Sequence, residues 1–304
     1  MPMAESSTRF PPPPRDRPRV LLTGATGYIA RQLLPVFRER YDLVPLDVRT
    51  TDALGNEVEG TRVADLIEEP LDRLARHFVG INSVVHLGYY RPAGTDVTGG
   101  GKGYLDERPN VDMAEHVYRL ALEAGVQRVV VASSNHAADW YEPLLHTRRL
   151  ESIGPRDLPR SDNYYGWAKI AYEALGFMYA CGAFGRKLDV VQVRIGAPRE
   201  IDAALFEGQP AAYKRDLGAF ISQRDLQQLF VRSLECGPLE DEWGVPFQIF
   251  YGVSNNARAF WSIANARQVI GYHPEDDSEL RYASDIARLM ADSPGRLGPP
   301  DPGQ

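Results

Sequence analysis

The sequence predicts an α/β fold, a doubly wound parallel sheet carrying a smaller C-terminal lobe. Three observations lead there. Short, near-continuous apolar runs alternate with helix-periodic segments, as strands covered on both faces require. A glycine turn links the first apolar run to the first helix, at Thr23-Gly24-Ala25-Thr26-Gly27. Hydrophobic residues are 43% and charged residues 25% of 304, the balance of a globular protein with one large domain or a domain plus a lobe.

The elements follow in order. Arg19–Thr23 is a buried first strand, followed by a helix to about Arg40. Leu43–Leu46 forms a second strand ending at Asp47, with Pro45 awkward for a central position. Thr61–Ala64 is a short third strand, followed by a helix from Leu66 to His77. Ser83–Leu87 is a fourth strand. Residues 92–104, with Gly99-Gly100-Gly101, read as a loop before a helix from Asp106 to Ala124. Arg128–Ala132 and Leu188–Val193 supply two more strands, flanking a helix that carries Tyr165. Beyond Arg194 the pattern loosens into a helix (Phe220–Leu234), a strand (Phe247–Tyr251) and two further helices. The expected division is a nucleotide-binding domain over 19–195 and a mainly substrate-binding lobe over 196–293. A disordered Pro-rich leader over 1–18 and a flexible tail over 294–304 flank them.

Composition narrows the partners. A net charge of −7 argues against nucleic acid or an anionic membrane as main partner. No apolar run approaches the roughly 20 residues that span a bilayer. Cys181 and Cys236 are the only cysteines, which suits reduced thiols in a cytoplasmic protein. His77, His116, His146 and His273 show no metal-ligand spacing, so no metal is expected.

The glycine turn has the context that a dinucleotide site requires, between a strand and a helix. Gly24 permits the tight turn, and Gly27 lets the backbone approach a pyrophosphate at the helix N-terminus, where Thr26, Tyr28 and Ile29 also lie. Ala30 takes the packing position. Asp47 stands about 20 residues further on, where an acid accepts ribose hydroxyls and repels a 2′-phosphate, so NAD is favoured over NADP. Arg49 weakens that preference. Asp65 and Leu66 suit an adenine contact, although Asp65 serves equally as a helix N-cap.

Tyr165 and Lys169 are four apart, which on a helix places both on one face. With 15 tyrosines and four lysines, a chance Tyr-x-x-x-Lys is expected roughly 0.2 times. An ammonium ion beside a phenol favours the phenolate, and such a tyrosine takes a proton from a substrate hydroxyl.

Together these residues resemble the extended short-chain dehydrogenase/reductase family, the NAD-dependent epimerase/dehydratase group, over roughly residues 19–290. The landmarks are Thr23-Gly24-x-x-Gly27-x-x-Ala30, Asp65-Leu66, His86-Leu87-Gly88, Asn110, Ser133-Ser134 and Tyr165-x-x-x-Lys169. The resemblance implies a Rossmann-type fold and NAD held by the glycine turn, Asp47, Asp65, Leu66, Leu87, Gly88, Asn110 and Lys169. It also implies Ser134 as the residue polarising the reacting oxygen, Tyr165 as acid/base, and Lys169 as the group lowering the tyrosine pKa. A hydroxyl donor beside the base suits a developing oxyanion.

Within that family, Ser133-Ser134-Asn135-His136 with Trp140-Tyr141-Glu142-Pro143, and Arg194-Ile195-Gly196, are similar to uronate dehydrogenases. That likeness implies sugar contacts from Ser134, Asn135, His136 and Tyr165, and a guanidinium at Arg215 holding a sugar carboxylate. Arg91 and Ala197 stand where those enzymes have serines. Arg91 is therefore a candidate second contact to substrate. The resulting expectation is an NAD-dependent oxidoreductase taking a sugar or sugar acid from C1 hydroxyl to lactone, as a homo-oligomer. The alternatives are a nucleotide-sugar epimerase or dehydratase of the same family, and a non-catalytic NAD-binding sensor.

Overall fold

The computed structural model describes residues 10, 14–91 and 103–291. Most of the leader, the loop 92–102 and the tail from 292 lie outside the described residues. Among the described residues, seven strands form one sheet in the order β3-β2-β1-β4-β5-β6-β7, every neighbouring pair parallel. The strands are β1 (Arg19–Thr23), β2 (Asp42–Asp47), β3 (Arg62–Val63), β4 (Ser83–His86), β5 (Arg128–Ser134), β6 (Asp189–Ile195) and β7 (Phe247–Gly252). The helices that place the site are α1 (Tyr28–Arg40), α2 (Leu71–Leu74), α3 (Tyr104–Glu123), α4 (Glu142–His146), α5 (Tyr164–Ala180), α6 (Pro210–Ala219) and α7 (Gln223–Glu235). They are followed by α8 (Ala264–Ile270), α9 (Ser278–Arg281) and α10 (Ala283–Ala291).

The apolar runs are continuous because both faces of the sheet are covered. Leu21, Val84, Val129 and Val131 point one way, into a core with Val117, Tyr118, Ala168 and Tyr172 from α3 and α5. Their neighbours Val20, Leu22, Val85 and Val130 point the other way, onto Leu33 and Phe37 of α1 and Leu226, Leu229 and Phe230 of α7. This is the period-two alternation of a strand with an apolar partner on each side.

Several boundaries differ from expectation for identifiable reasons. Pro45 fits in β2 because β3 pairs only with Leu46 and Asp47, leaving no strand opposite Pro45 on that side. The helix expected from Leu66 does not begin there. Asp65 Oδ1 accepts from the Ile67 and Glu68 amides, and Pro70 disfavours helix at Glu69, so α2 starts at Leu71. The helix expected from Phe220 starts at Gln223, capped by Ser222, while Phe220 bridges to Ala197 in extended backbone. The α6 helix was not anticipated; it begins with Pro210 at its first position. Nor is the leader featureless up to residue 18. Arg17 donates to the carbonyls of Arg38 and Tyr41, closing the C-terminal end of α1.

The division at residue 195 crosses the sheet. β7 pairs with β6 over Val190–Ile195, and α7 packs its apolar face on the sheet beside α1. What stands apart as a lobe has two smaller cores. One joins Ala138, Leu145 and Ile153 to Ala197, Tyr251 and Trp261; the other joins Ile201, Tyr213, Leu217 and Phe220 to Tyr282 and Ile286.

Candidate active site

Thr23, Asp47, His86, Ser134 and Ile195 end parallel strands on one edge of the sheet. The order reverses between β1 and β4, so the crevice beyond that edge is the place where such sheets receive a nucleotide. The glycine turn faces this crevice. Gly24 has φ +68°, and a Cβ there would meet the Leu87 carbonyl carbon and the Gly88 nitrogen at 2.7 Å. Leu87 and Gly88 therefore pack directly on the turn, with the Leu87 amide donating to Thr23 O at 3.1 Å. Gly24→Ala should lose at least about 1–2 kcal/mol from the left-handed backbone alone. Urea unfolding together with a titration of NADH fluorescence checks both the stability and the nucleotide affinity.

The residues present fit NAD. Gly27 precedes α1 with no side-chain cap, and the first turn carries no acidic residue, leaving an electropositive helix end for a pyrophosphate. The Asp47 carboxylate is oriented by the Thr26 amide and hydroxyl, both at 2.9 Å from Oδ2, and by the Val48 amide at 2.7 Å from Oδ1. A carboxylate has roughly four acceptor positions, so one remains for a ribose hydroxyl. Arg49 Nε reaches Thr26 Oγ1 at 3.2 Å. The Tyr28 hydroxyl donates to Pro198 O, tying α1 to the segment after β6, and the Ile29 side chain packs against the core.

Three of the expected cofactor contacts have partners within the protein. Asn110 is fully buried, takes the Tyr90 amide on Oδ1 at 2.7 Å, and donates from Nδ2 to Tyr90 O and Glu107 Oε2. Both amide hydrogens are occupied, so Asn110 holds the segment after β4 rather than a nucleotide. Asp65 is the cap of its own turn, and Leu66 is buried, its carbonyl bonded by His116 Nδ1.

α5 carries the central pair. Asn163 caps it, accepting from the Gly166 amide at 2.8 Å. Gly166 is required because a Cβ there would stand 2.1 Å from both His136 O and Ser161 Oγ. That contact presses Tyr165 against the 3-10 turn Asn135–Tyr141, with the rings of Tyr165 and His136 edge-on at 5.4 Å and Tyr89 edge-on from the other side at 5.5 Å. Lys169 Nζ lies 5.2 Å from the Tyr165 ring centre while donating to Ala132 O at 3.1 Å, and Ser134 Oγ accepts from the His136 amide at the start of that turn.

The expected depression of the Tyr165 pKa is corrected. Burial pushes the phenol up to about 12; the Ser134 hydroxyl pulls down, while Glu107 and Asp139 push up and Arg91 pulls down. Removing a phenolate from water outweighs the neighbouring donors. Burial acts on Lys169 too, bringing it down to about 8 against the opposing pull of Glu107 and Glu173. His86 is held to about 3 by burial, then by Lys169, and is neutral; its Nδ1 lies 2.7 Å from Thr23 Oγ1.

The structure also shows residues that sequence reasoning missed. Glu107 is completely buried and accepts from the Tyr89 hydroxyl at 2.7 Å, beside the site. Glu173, one turn after Lys169, receives both Arg194 Nε (2.8 Å) and Nη2 (2.7 Å), and the Ser133 hydroxyl (2.8 Å). Arg194 also donates to the Tyr251 hydroxyl at 2.8 Å, so the pair is interior, not a surface salt bridge. Their side chains are 1% and 5% exposed, and they fasten α5 to β5, β6 and β7. Arg91 is exposed, and its charge reaches Tyr89 and Tyr165.

Arg215 departs furthest from expectation. Its Nε donates to Glu142 Oε1 at 3.0 Å, and its terminal nitrogens stand 3.8 Å from Asp139 and 3.6 Å from Asp216. The guanidinium expected to receive a sugar carboxylate is already surrounded by carboxylates of the protein. Among the described residues no group of three or more His, Cys, Asp or Glu could hold a metal ion, and no helix is long and apolar enough to cross a membrane.

Comparison with known proteins agrees with the fold. The sequence model of the NAD dependent epimerase/dehydratase family matches residues 20–194. The chain is 33% identical to the NAD-dependent glucose-6-phosphate dehydrogenase of Haloferax volcanii, over 86% of this chain and 95% of that protein. It is 28% identical to the L-arabinose 1-dehydrogenase (NAD(P)(+)) of the same organism, over 86% and 97%. The crystal structure of uronate dehydrogenase from Agrobacterium tumefaciens superposes with a TM-score of 0.67 at 25% identity, covering 95% of this chain and 92% of that one. The chain belongs to the NAD dependent epimerase/dehydratase family, with NAD as its cofactor.

Proposed function

We propose that this protein is a dehydrogenase that oxidises the C1 hydroxyl of a cyclic sugar to a lactone. The observation that carries the proposal is the convergence of Ser134, Tyr165 and Lys169 beside the glycine turn, with Asn135 and His136 on the adjoining 3-10 turn. Bound NAD, held by Gly24, Thr26, Gly27, Asp47, Leu87, Gly88 and Lys169, supplies the two-electron acceptor. Tyr165 takes the proton of the C1 hydroxyl, and Ser134 donates a hydrogen bond to the same oxygen as its C–O bond gains double character. Lys169, with Nζ 5.2 Å from the ring centre, is the cation placed to offset part of the cost of a buried phenolate. Asn135 Nδ2 is buried without a hydrogen-bond partner and faces the same turn as Ser134, which suits a sugar oxygen. The two free cysteines suit a cytoplasmic setting.

Because Tyr165 stands at about 12 and must lose its proton, kcat/KM should climb with pH through the neutral range, approaching about tenfold per unit. The climb should slacken above about 8, where Lys169 loses its charge. A flat profile from weakly acidic to weakly basic pH would contradict the role given to Tyr165. The function itself is tested by following absorbance at 340 nm with NAD and a panel of aldoses, aldose phosphates and hexuronates. Net NADH formation with at least one sugar is expected. An epimerase or a non-catalytic binding protein would release none.

A further inference from the structure

The surroundings of Arg215, behind the 3-10 turn that packs on Tyr165, carry an unexpected charge. Arg215 of α6 meets Glu142 of α4 with Nε at 3.0 and 3.4 Å from its two oxygens. It also faces Asp139 at 3.8 Å and Asp216 at 3.6 Å. Asp216 takes a second guanidinium, Arg199, at 2.6 Å. Three carboxylates thus face the Arg215 guanidinium. The Arg215 and Glu142 side chains are 18% and 20% exposed, so the pair is largely withdrawn from water. A substrate carboxylate reaching Arg215 would approach three like charges, or would displace Glu142 and leave it buried without its cation, which is the costly way to break such a pair.

A second observation points the same way. Asp139 holds His136 Nδ1 at 2.5 Å and Asn163 Nδ2 at 2.9 Å through Oδ2; its Oδ1 is buried, faces Arg215 Nη2 at 3.8 Å and receives no hydrogen bond. An acceptor left in that state calls for a donor from the ligand. At the C6 end of the sugar a hydroxyl donates and a carboxylate does not, so the two classes differ where that end meets Asp139. Nearby, Asn135 is 2% exposed, and its Nδ2 is a donor without a partner. One unfilled acceptor and one unfilled donor on the same 3-10 turn match a hydroxyl-bearing carbon chain, which both donates and accepts.

We infer that the pocket selects a neutral aldose over the corresponding uronic acid, with Asp139 Oδ1 and Asn135 Nδ2 reading sugar hydroxyls and the Glu142–Arg215 pair excluding a carboxylate. The inference rests on the reading of the site as a sugar pocket and names the class of sugar that enters it. Arg215 is then a positioning residue for α4 and not the receptor of an anion.

The test uses equilibrium binding, so that it does not depend on turnover. The full-length protein saturated with NADH forms a dead-end complex with a sugar, and calorimetric titration compares D-galactose with D-galacturonate and D-glucose with D-glucuronate. The expected result is at least tenfold tighter binding of the neutral member of at least one pair. Glu142→Gln, which removes one carboxylate and frees Arg215, should shrink that ratio, chiefly by tightening the uronate. Asp139→Asn should instead weaken the neutral sugar. Equal or tighter binding of the uronates by the wild-type protein overturns the inference, as does binding of neither class. Neutral-sugar preference without NADH formation would leave the selectivity standing and remove the dehydrogenase reading.

Discussion

Tyr165→Phe should lower kcat by about 10²–10⁴-fold on every sugar that the wild type oxidises, because in the proposed mechanism Tyr165 is the group that takes the C1 proton. The fold should be unaffected. The ring remains as Phe against Tyr89 and His136. NADH affinity should also persist, since the glycine turn and Asp47 are untouched. Steady-state rates at 340 nm, with a fluorescence titration of NADH on the same variant, separate the two effects. Near-full activity in Tyr165→Phe would mean that the proton leaves by another route. The conservative change is informative because Lys169 stays in place: its Nζ donates to Ala132 O, a bond that the phenol does not make.

The second large effect concerns the buried pair behind the site. Glu173→Gln or Arg194→Met should destabilise the protein by about 3–5 kcal/mol, since each leaves a buried partner without its counter-charge. That is a large share of the roughly 5–15 kcal/mol that holds a typical domain folded. Glu173 joins the Ser133 hydroxyl to Arg194, and Arg194 joins Tyr251 on β7, so the loss should also loosen α5 relative to the strand that carries Ser134. The double variant Glu173→Leu/Arg194→Met, apolar on both sides, should recover much of the stability in urea unfolding. If the single variants unfolded at the same urea concentration as the wild type, the pair would have no structural role. If the double variant recovered stability together with full kcat, the pair would have no positioning role.

The sequence made the sheet and its cofactor edge legible because those features are local. Alternating apolar runs, a strand-turn-helix with Gly24 and Gly27, and an acid at the end of β2 are each contained within a short window. Tyr165 and Lys169 were legible for the same reason, being one helical turn apart. What escaped is what depends on distant segments meeting. Arg215 was given a substrate carboxylate because nothing in its neighbourhood announces Glu142, 73 positions earlier. Asn110 was given to the cofactor because its hydrogen bonds run to Tyr90, 20 positions earlier. The Tyr165 shift runs opposite to the direction the sequence implies because a neighbouring ammonium is visible in the sequence and burial is not. β7 was placed in the lobe because a strand at the far edge of the sheet follows a long stretch without clear periodicity, and only its pairing with β6 reveals where it belongs.

The central claim is that the electrons of a sugar C1–H bond leave with the nucleotide while Tyr165 takes the hydroxyl proton. It is tested most directly with an aldose deuterated at C1, incubated with the protein and NAD, followed by mass analysis of nucleotide and sugar. The account predicts one deuterium in the reduced nucleotide for each lactone formed, with slower turnover than for the protiated sugar wherever bond cleavage limits the rate. Deuterium retained in an epimerised or unchanged sugar, with no reduced nucleotide accumulating, would contradict it.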